Sequence, residues 1–146
     1  MNTVCARSSR VGNHFCRMQD GITSRLRLAK AGLCLPLSFS SLLGYLLAEP
    51  EFSREAILVV AGIFSLASGG ATLNSLQEWR LDGQMVRTRN RPLPQGELSG
   101  RQAAVQSAVL IVAGLIFLSM LASLWPVVLG IVALLLYNGV YTVLKR

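Results

Sequence analysis

Long apolar runs alternate with short polar stretches along most of this chain. Four runs contain no Asp, Glu, Lys, Arg or His: Ala31–Ala48, Ala56–Leu73, Ala103–Ala122 and Trp125–Leu144. Each run is 18 to 20 residues long, which gives a helix of about 27–30 Å, close to the thickness of the hydrocarbon core of a bilayer. None has the polar face of a helix at the surface of a soluble protein. The pattern therefore predicts an all-α, polytopic transmembrane helix bundle with four spans.

The polar residues between these runs predict where the helices begin and end. The second run continues into polar sequence without a helix breaker before Gly83, so we expect one long helix that ends there. Two prolines between Arg91 and Gly96 predict a turn, because proline fixes its own φ and disfavours helix in the residue before it. Ser99 is a suitable N-cap for the third helix. Pro126 lies near the start of the fourth helix, where proline is tolerated.

The composition agrees with a membrane protein. Of 146 residues, 52% are hydrophobic and 14% are charged, whereas about a quarter of the residues in a soluble domain are charged. We expect residues 1–24 to form an irregular polar tail and residues 25–146 to form the transmembrane domain. Cys5, Cys16 and Cys34 lack the spacing of metal ligands, so we interpret them as ordinary thiols.

The net charge of +7 has a topological explanation. Basic residues concentrate before the first run, between the second and third runs, and after the fourth: Arg7, Arg10, Arg17, Arg25, Arg27, Lys30, Arg80, Arg87, Arg89, Arg91, Arg101, Lys145 and Arg146. Cytoplasmic loops of membrane proteins carry an excess of basic residues. This bias predicts that both termini and the polar stretch between the second and third runs, here called the Arg-rich loop, face the cytoplasm. We expect a multi-pass protein of the bacterial inner membrane, and the basicity does not indicate nucleic-acid binding.

Three polar residues at the end of the second helix have the spacing of a binding face. Asn74, Glu78 and Asp82 are spaced i, i+4 and i+8, which stacks them along one side of a helix. Two acids one turn apart repel each other when ionised, and a divalent cation would relieve that repulsion. Mg²⁺ prefers oxygen ligands and is usually held by one or two carboxylates together with substrate phosphates. The spacing is therefore compatible with a magnesium site.

The neighbouring arginines extend this hypothesis to a diphosphate with a hydrophobic tail. Arg87, Arg89 and Arg91 can bind phosphate oxygens through bidentate hydrogen bonds. The alternative is an ordinary cytoplasmic loop in which the acids simply pair with arginines. A similar choice exists for Gly69 and Gly70, which permit either close helix packing or room for a ligand.

A family resemblance rests on this region. The first aspartate-rich motif of the UbiA-type intramembrane prenyltransferases has the pattern Asn-x-x-x-Asp-x-x-x-Asp followed by Arg-Thr-x-x-Arg-Pro. It resembles the stretch Asn74-x-x-x-Glu78-x-x-x-Asp82-x-x-Met85-x-Arg87-Thr88-x-x-Arg91-Pro92. Two further stretches are most similar to the protoheme IX farnesyltransferase branch of that family: Leu28-Ala-Lys30-Ala and Tyr137-Asn-Gly-Val-Tyr141-Thr-Val-Leu-Lys145-Arg146. The resemblance runs from about Arg25 to the last residue.

The resemblance implies a Mg²⁺-dependent prenyltransferase. Asn74, Glu78 and Asp82 would hold the metal, and Glu78 and Asp82 would be the catalytic residues. Asn74, Arg87 and Arg91 would bind the diphosphate of an isoprenyl donor. In the haem branch, farnesyl diphosphate gives its farnesyl group to a vinyl group of protoheme IX, and water supplies the hydroxyl group of the product, haem O. An aromatic acceptor such as 4-hydroxybenzoate is one alternative, and an inactive membrane fragment is another.

Two departures from the family pattern change these expectations. Glu78 stands where the family usually has Asp, which moves the carboxylate outward by one methylene. Family members also have a second half with its own aspartate-rich motif, whereas the only acid after Asp82 is Glu97. The chain thus resembles an N-terminal half, either a fragment or a truncated open reading frame with a missing C-terminal partner. We expect it to bind donor weakly and not to turn over alone.

The charge asymmetry makes a testable prediction about topology. A reporter that is active only in the cytoplasm, fused after Gly96, should be active, because the Arg-rich loop is expected on that side. A periplasmic reporter at the same position serves as the control and should be silent. A periplasmic signal there would contradict the topology and the assumed side of substrate access.

Overall fold

The structure, a computed structural model, describes residues 21–144, apart from the side chains at positions 141 and 143. The regular elements in that range are helical: α1 (residues 21–28), α2 (Ala31–Ala48), α3 (Arg54–Asp82), α4 (Gly100–Ser119), α5 (Trp125–Leu135), a π-helical segment (Leu136–Tyr141) and α6 (Thr142–Leu144). The all-α fold class predicted from the sequence is confirmed. Residues 1–20 of the predicted tail and Lys145-Arg146 lie outside the described range, and residues 21–24 belong to α1.

Two of the four predicted spans lie wholly within α2 and α3, and the third, Ala103–Ala122, is helical as far as Ser119. By length and composition, α2, α3 and α4 are each long and apolar enough to cross a membrane. The fourth predicted span, Trp125–Leu144, is helical throughout but changes type along its length. Its regular part, α5, is only 11 residues long, because the wider π-helical turns begin at Leu136. The predicted fourth span is therefore helical over its whole length, although its regular α-helical part is shorter than the other three helices.

The predicted helix ends are confirmed. The last residue of α3 is Asp82, and Gly83 follows as its C-cap. Ser99 accepts a hydrogen bond from the Gln102 backbone N–H at 3.2 Å, and the Gln102 side chain accepts one from the Ser99 backbone N–H at 3.0 Å. This reciprocal pair satisfies two N–H groups at the start of α4. Pro126 lies in the first turn of α5, as expected.

The central helix, α3, packs against α2, α4, α5 and the π-helical segment. Its contact with α4 is close because small residues face each other. A Cβ atom added at Gly114 would lie 2.8 Å from the Leu66 backbone nitrogen and 2.9 Å from the Gly62 carbonyl oxygen. Ser107 donates a hydrogen bond to the Gly69 carbonyl oxygen across the same interface at 3.1 Å. Small residues at such positions let two helix backbones approach in a membrane, where packing rather than hydrophobicity drives association.

A small apolar cluster organises the Arg-rich loop. It joins α1, the loop and the start of α4: Leu28, Leu93, Leu98 and Ala103, with Leu76 packed against them. Two polar contacts reinforce it. Ser24 donates to a Glu97 carboxylate oxygen at 2.5 Å, and Gln106 donates to the Arg25 carbonyl oxygen at 3.0 Å. The loop therefore has a defined path across the end of α3.

The two adjacent glycines of α3 allow a matched stability test. A Cβ atom at Gly69 would lie 2.7 Å from Ile111 Cγ1 and 3.0 Å from the Ile111 backbone nitrogen, whereas one at Gly70 has its nearest contact, Asn138 Nδ2, at 3.4 Å. We expect Gly69→Ala to destabilise the protein by about 1–3 kcal/mol through overpacking. Gly70→Ala should be neutral or slightly stabilising, because alanine is the better helix former. Unfolding in detergent by circular dichroism measures both, and equal losses would contradict the packing described.

Candidate functional site

The polar end of α3 forms a buried face. Asn74, Glu78 and Asp82 are 2%, 7% and 5% exposed, respectively. All three lie on the same uninterrupted helix, so the spacing predicted from the sequence places them one above the other on its packed side. Burial of two acidic side chains in an otherwise apolar protein requires hydrogen-bonding or charged partners. The segments around this face determine what those partners are.

The Arg-rich loop supplies partners for Asp82. Arg91 forms an ion pair with the Asp82 carboxylate at 2.5 Å, and the Arg91 side chain remains 33% exposed. The Thr88 hydroxyl donates to the Asp82 carbonyl oxygen at 2.9 Å, and Thr88 is itself buried. These contacts hold the loop against the C-terminus of α3. In this structure Asp82 therefore pairs with a loop arginine, as the alternative of an ordinary cytoplasmic loop predicted.

Arg87 occupies a different position from Arg91. It is exposed on the loop, and within residues 21–144 no ion pair joins it to an acid. The structure therefore places Asn74, Glu78 and Asp82 on one side of α3 and Arg91 beside Asp82, whereas Arg87 lies outside that group. Its guanidinium group can meet a ligand that approaches from solvent.

The donor set fits magnesium shared with a phosphate. Among the residues that the structure describes, no three Asp, Glu, His or Cys side chains come together as a metal cluster. The candidate set consists instead of the Glu78 and Asp82 carboxylates and the Asn74 amide oxygen. Mg²⁺ takes oxygen ligands, retains several waters and is commonly held by one or two carboxylates with substrate phosphates. These side chains therefore have the oxygen donors that a Mg²⁺ ion shared with a diphosphate requires.

Thr142 contacts this face from the C-terminal part of the chain. Its hydroxyl oxygen lies 2.8 Å from the Asn74 amide oxygen, and Thr142 is only 2% exposed. Thr142 follows the π-helical segment directly. Sequence reasoning missed its role, because a threonine in an apolar run has no local sign of a distant partner. Its position within the stretch from Tyr137 to Arg146 was the available signal.

A large apolar cavity begins next to the polar face. Its volume is about 1140 Å³, and α2, α3 and α5 supply most of its walls, with Leu37, Ile63, Ala67, Leu129, Ala133 and Leu134 among the lining residues. This exceeds the range of about 300–1000 Å³ that is usual for small-molecule sites. Lys30, Gly70, Tyr137 and Asn138 also line it. Gly70 lies one helical turn before Asn74, so the cavity and the polar face share a helix.

Gly69 and Gly70 have different surroundings, so close helix packing and space for a ligand can be assigned to each glycine separately. Gly69 faces Ile111 of α4, where a side chain would clash. Gly70 lines the cavity, and a methyl group there would make only ordinary contacts. Packing therefore accounts for Gly69, and open space lies beside Gly70.

Asn138 is a second residue that sequence reasoning did not single out as part of a site. It is 7% exposed and donates from Nδ2 to the Leu134 carbonyl oxygen at 3.3 Å. Its amide oxygen is buried and has no hydrogen-bond partner within the described part of the chain. A polar residue in the middle of an apolar run was the signal available in the sequence.

Comparisons with known proteins indicate the family of this chain. The model of the UbiA prenyltransferase family matches residues 37–146. The chain is 34% identical over 130 residues to the protoheme IX farnesyltransferase of Cytophaga hutchinsonii, covering 88% of this chain and 46% of that protein. It is 38% identical over 128 residues to the protoheme IX farnesyltransferase of Geobacter sulfurreducens, covering 88% and 45%. The chain thus spans less than half the length of these relatives.

A solved structure shares the fold. A digeranylgeranylglyceryl phosphate synthase structure superposes with a TM-score of 0.75 at 22% sequence identity, covering 84% of this chain and 43% of the other. That likeness concerns the helical arrangement alone. The match of the family model over most of the sequence is the stronger finding. On that basis, the chain belongs to the UbiA prenyltransferase family.

Proposed function

We propose that this chain carries the magnesium and prenyl diphosphate site of an enzyme that transfers a farnesyl group from farnesyl diphosphate to protoheme IX, giving haem O. One observation carries the proposal: a single helix, α3, bears a buried acidic face at its end and lines a large apolar cavity one turn earlier. A prenyl diphosphate has this same division, with an anionic head joined to a hydrophobic tail.

The polar face would bind the head group. In this proposal Asn74, Glu78 and Asp82 hold Mg²⁺ through their side-chain oxygens, and Glu78 and Asp82 are the catalytic residues because their carboxylates bind the metal. When bound, the metal supplies positive charge that stabilises the negative charge growing on the leaving diphosphate. Arg91, already at the site through its ion pair with Asp82, adds charge-assisted hydrogen bonds to the diphosphate. Arg87 would close over it from solvent.

The cavity would bind the isoprenoid tail. Its walls are almost wholly apolar, so the tail gains free energy from burial, at about 0.8 kcal/mol per methylene. These walls would also form part of the enclosure that keeps water from the allylic cation, which forms when the carbon–oxygen bond to diphosphate breaks. The cation then adds to a vinyl group of the acceptor, and water adds to the resulting carbocation and loses a proton, which forms the hydroxyl group of haem O.

Protoheme IX is the acceptor proposed, because the similar proteins that share 34% and 38% identity are named protoheme IX farnesyltransferases. Their names, together with the similarity of the stretch after Tyr137, favour haem over a 4-hydroxybenzoate-like acceptor. The site would open to the cytoplasmic side of the membrane, as the charge distribution predicts.

Substitution of Asp82 tests the metal site. We expect Asp82→Asn to raise the Mg²⁺ concentration needed for binding of farnesyl diphosphate by at least about tenfold, because the change keeps the shape of the side chain but removes a charge that a hard cation needs. Calorimetric titration at several Mg²⁺ concentrations measures this. Glu51→Gln, at an exposed position in the loop between α2 and α3, is the matched control and should behave as wild type. An unchanged Mg²⁺ dependence in Asp82→Asn would assign the carboxylates a structural role.

Substitution of Ala67 tests the tail cavity. Ala67 lines the cavity, and we expect Ala67→Phe to weaken binding of farnesyl diphosphate by about tenfold, equivalent to the loss of roughly two buried methylenes. Binding of inorganic diphosphate should not change, because it has no tail. Ala104→Phe, at an exposed position on α4, is the control. Equal effects on both ligands would argue against a tail in this cavity.

A further inference from the structure

Thr142 has two acceptors within hydrogen-bonding distance of one hydroxyl group. Its Oγ1 atom lies 2.8 Å from the Asn74 amide oxygen and 3.0 Å from the Tyr137 carbonyl oxygen. A hydroxyl group has one proton to donate and two lone pairs that can accept. When Asn74 offers its oxygen to Thr142, the single proton serves only one of the two oxygens well. Both Thr142 and Asn74 are 2% exposed, so water is not at hand to supply a second donor.

A reversed Asn74 amide removes this shortage. The amide oxygen and amide NH₂ group have nearly the same shape, so a half-turn of the group keeps its packing. Asn74 Nδ2 then donates to Thr142 Oγ1, and Thr142 gives its own proton to the Tyr137 carbonyl oxygen. Each short contact now carries a hydrogen. The Asn74 oxygen is turned away from Thr142 and becomes available as a ligand.

We propose that Thr142 is a positioning residue, which holds the Asn74 amide nitrogen and thereby directs the amide oxygen to the metal. This inference rests on the proposed function, since it specifies how one ligand of that site is oriented. Groups that hydrogen-bond to metal ligands in this way fix their orientation, and their loss weakens metal binding. Asn74 can bind a metal only through its amide oxygen. The orientation of the amide group therefore decides whether two side chains or three can act as metal ligands.

The π-helical segment explains how Thr142 reaches Asn74. A π-helical turn accommodates one more residue than an α-helical turn, and each added residue rotates the following side chains by about 100° around the helix axis. Leu136–Tyr141 forms such turns directly before Thr142. The Tyr137 carbonyl that accepts from Thr142 belongs to the same segment, at a separation of five residues. Such segments recur at functional sites, which agrees with a role in placing this hydroxyl group.

A matched set of variants separates orientation of a ligand from simple packing. Thr142→Val keeps the side-chain shape and removes both hydrogen bonds, whereas Thr142→Ser keeps the hydroxyl group. Thr72→Val is the control, because Thr72 is 0% exposed and its hydroxyl group donates to the Ser68 carbonyl oxygen of its own helix at 2.8 Å. All three are made in the 146-residue chain in detergent. Thermal unfolding without metal reports on the stability of each variant.

The decisive measurement is a Mg²⁺ titration of the binding of farnesyl thiodiphosphate, a slowly reacting analogue of farnesyl diphosphate. We expect the half-saturating Mg²⁺ concentration to rise about 10- to 100-fold in Thr142→Val, to stay within about twofold of wild type in Thr142→Ser, and to be unchanged in Thr72→Val. Metal-free binding of the analogue should be the same in all of them. If Thr142→Val does not fold, Thr142→Ala is measured against the same expectations.

Three results would overturn the inference: an unchanged Mg²⁺ requirement in Thr142→Val, an equal rise in Thr142→Ser, or an equal rise in Thr72→Val. Asp82→Asn, measured alongside, distinguishes a failure of the role inferred for Thr142 from a failure of the proposed function. If Asp82→Asn raises the Mg²⁺ requirement and Thr142→Val leaves it unchanged, the role of Thr142 is wrong and the proposed function stands. If neither variant differs from wild type, both fail.

Discussion

The buried acidic face of α3 is the constraint on which this structure depends. Glu78 and Asp82 are buried in a largely apolar helix bundle, and a buried carboxylate is costly unless other groups pair with it. Two segments far apart in sequence converge on this end of α3. The loop brings Arg91 to Asp82, and the C-terminal helical segment brings Thr142 to Asn74. The polar end of the bundle is built around these contacts.

The apolar part of α3 gives that face a fixed position. Gly62, Gly69 and Gly114 let α3 and α4 approach until a methyl group would clash, and close packing of this kind resists displacement. The cavity on another side of α3 extends as far as Ala71, three residues before Asn74, or about 4.5 Å along the axis. The helical rise thus sets the distance between the proposed sites for the prenyl tail and the diphosphate.

The Arg-rich loop illustrates how a polar segment acquires a defined path. Leu93 and Leu98 are each 6% exposed, because they pack with Leu28 and Ala103 in a cluster beneath the loop. Thr88 attaches the loop to the last carbonyl group of α3. These anchors place Arg91 at the acids while Arg87 remains in solvent. The path of the loop is therefore fixed by a few apolar side chains and one hydroxyl group. These anchors determine where the arginine side chains lie.

The sequence by itself determined the helical spans, the end of α3 at Asp82, the cap at Ser99 and the shared face of Asn74, Glu78 and Asp82. These features depend on residue type and on helical periodicity over a few turns, so they can be predicted from short stretches of sequence. The motif at Asn74–Pro92 identified the family. Only the tertiary structure decided that Arg91 rather than Arg87 meets Asp82, that Gly69 packs while Gly70 borders a cavity, and that Thr142 reaches Asn74. Each of these depends on which distant segments meet. The last joins residues 68 positions apart, a separation at which no local pattern specifies the partner.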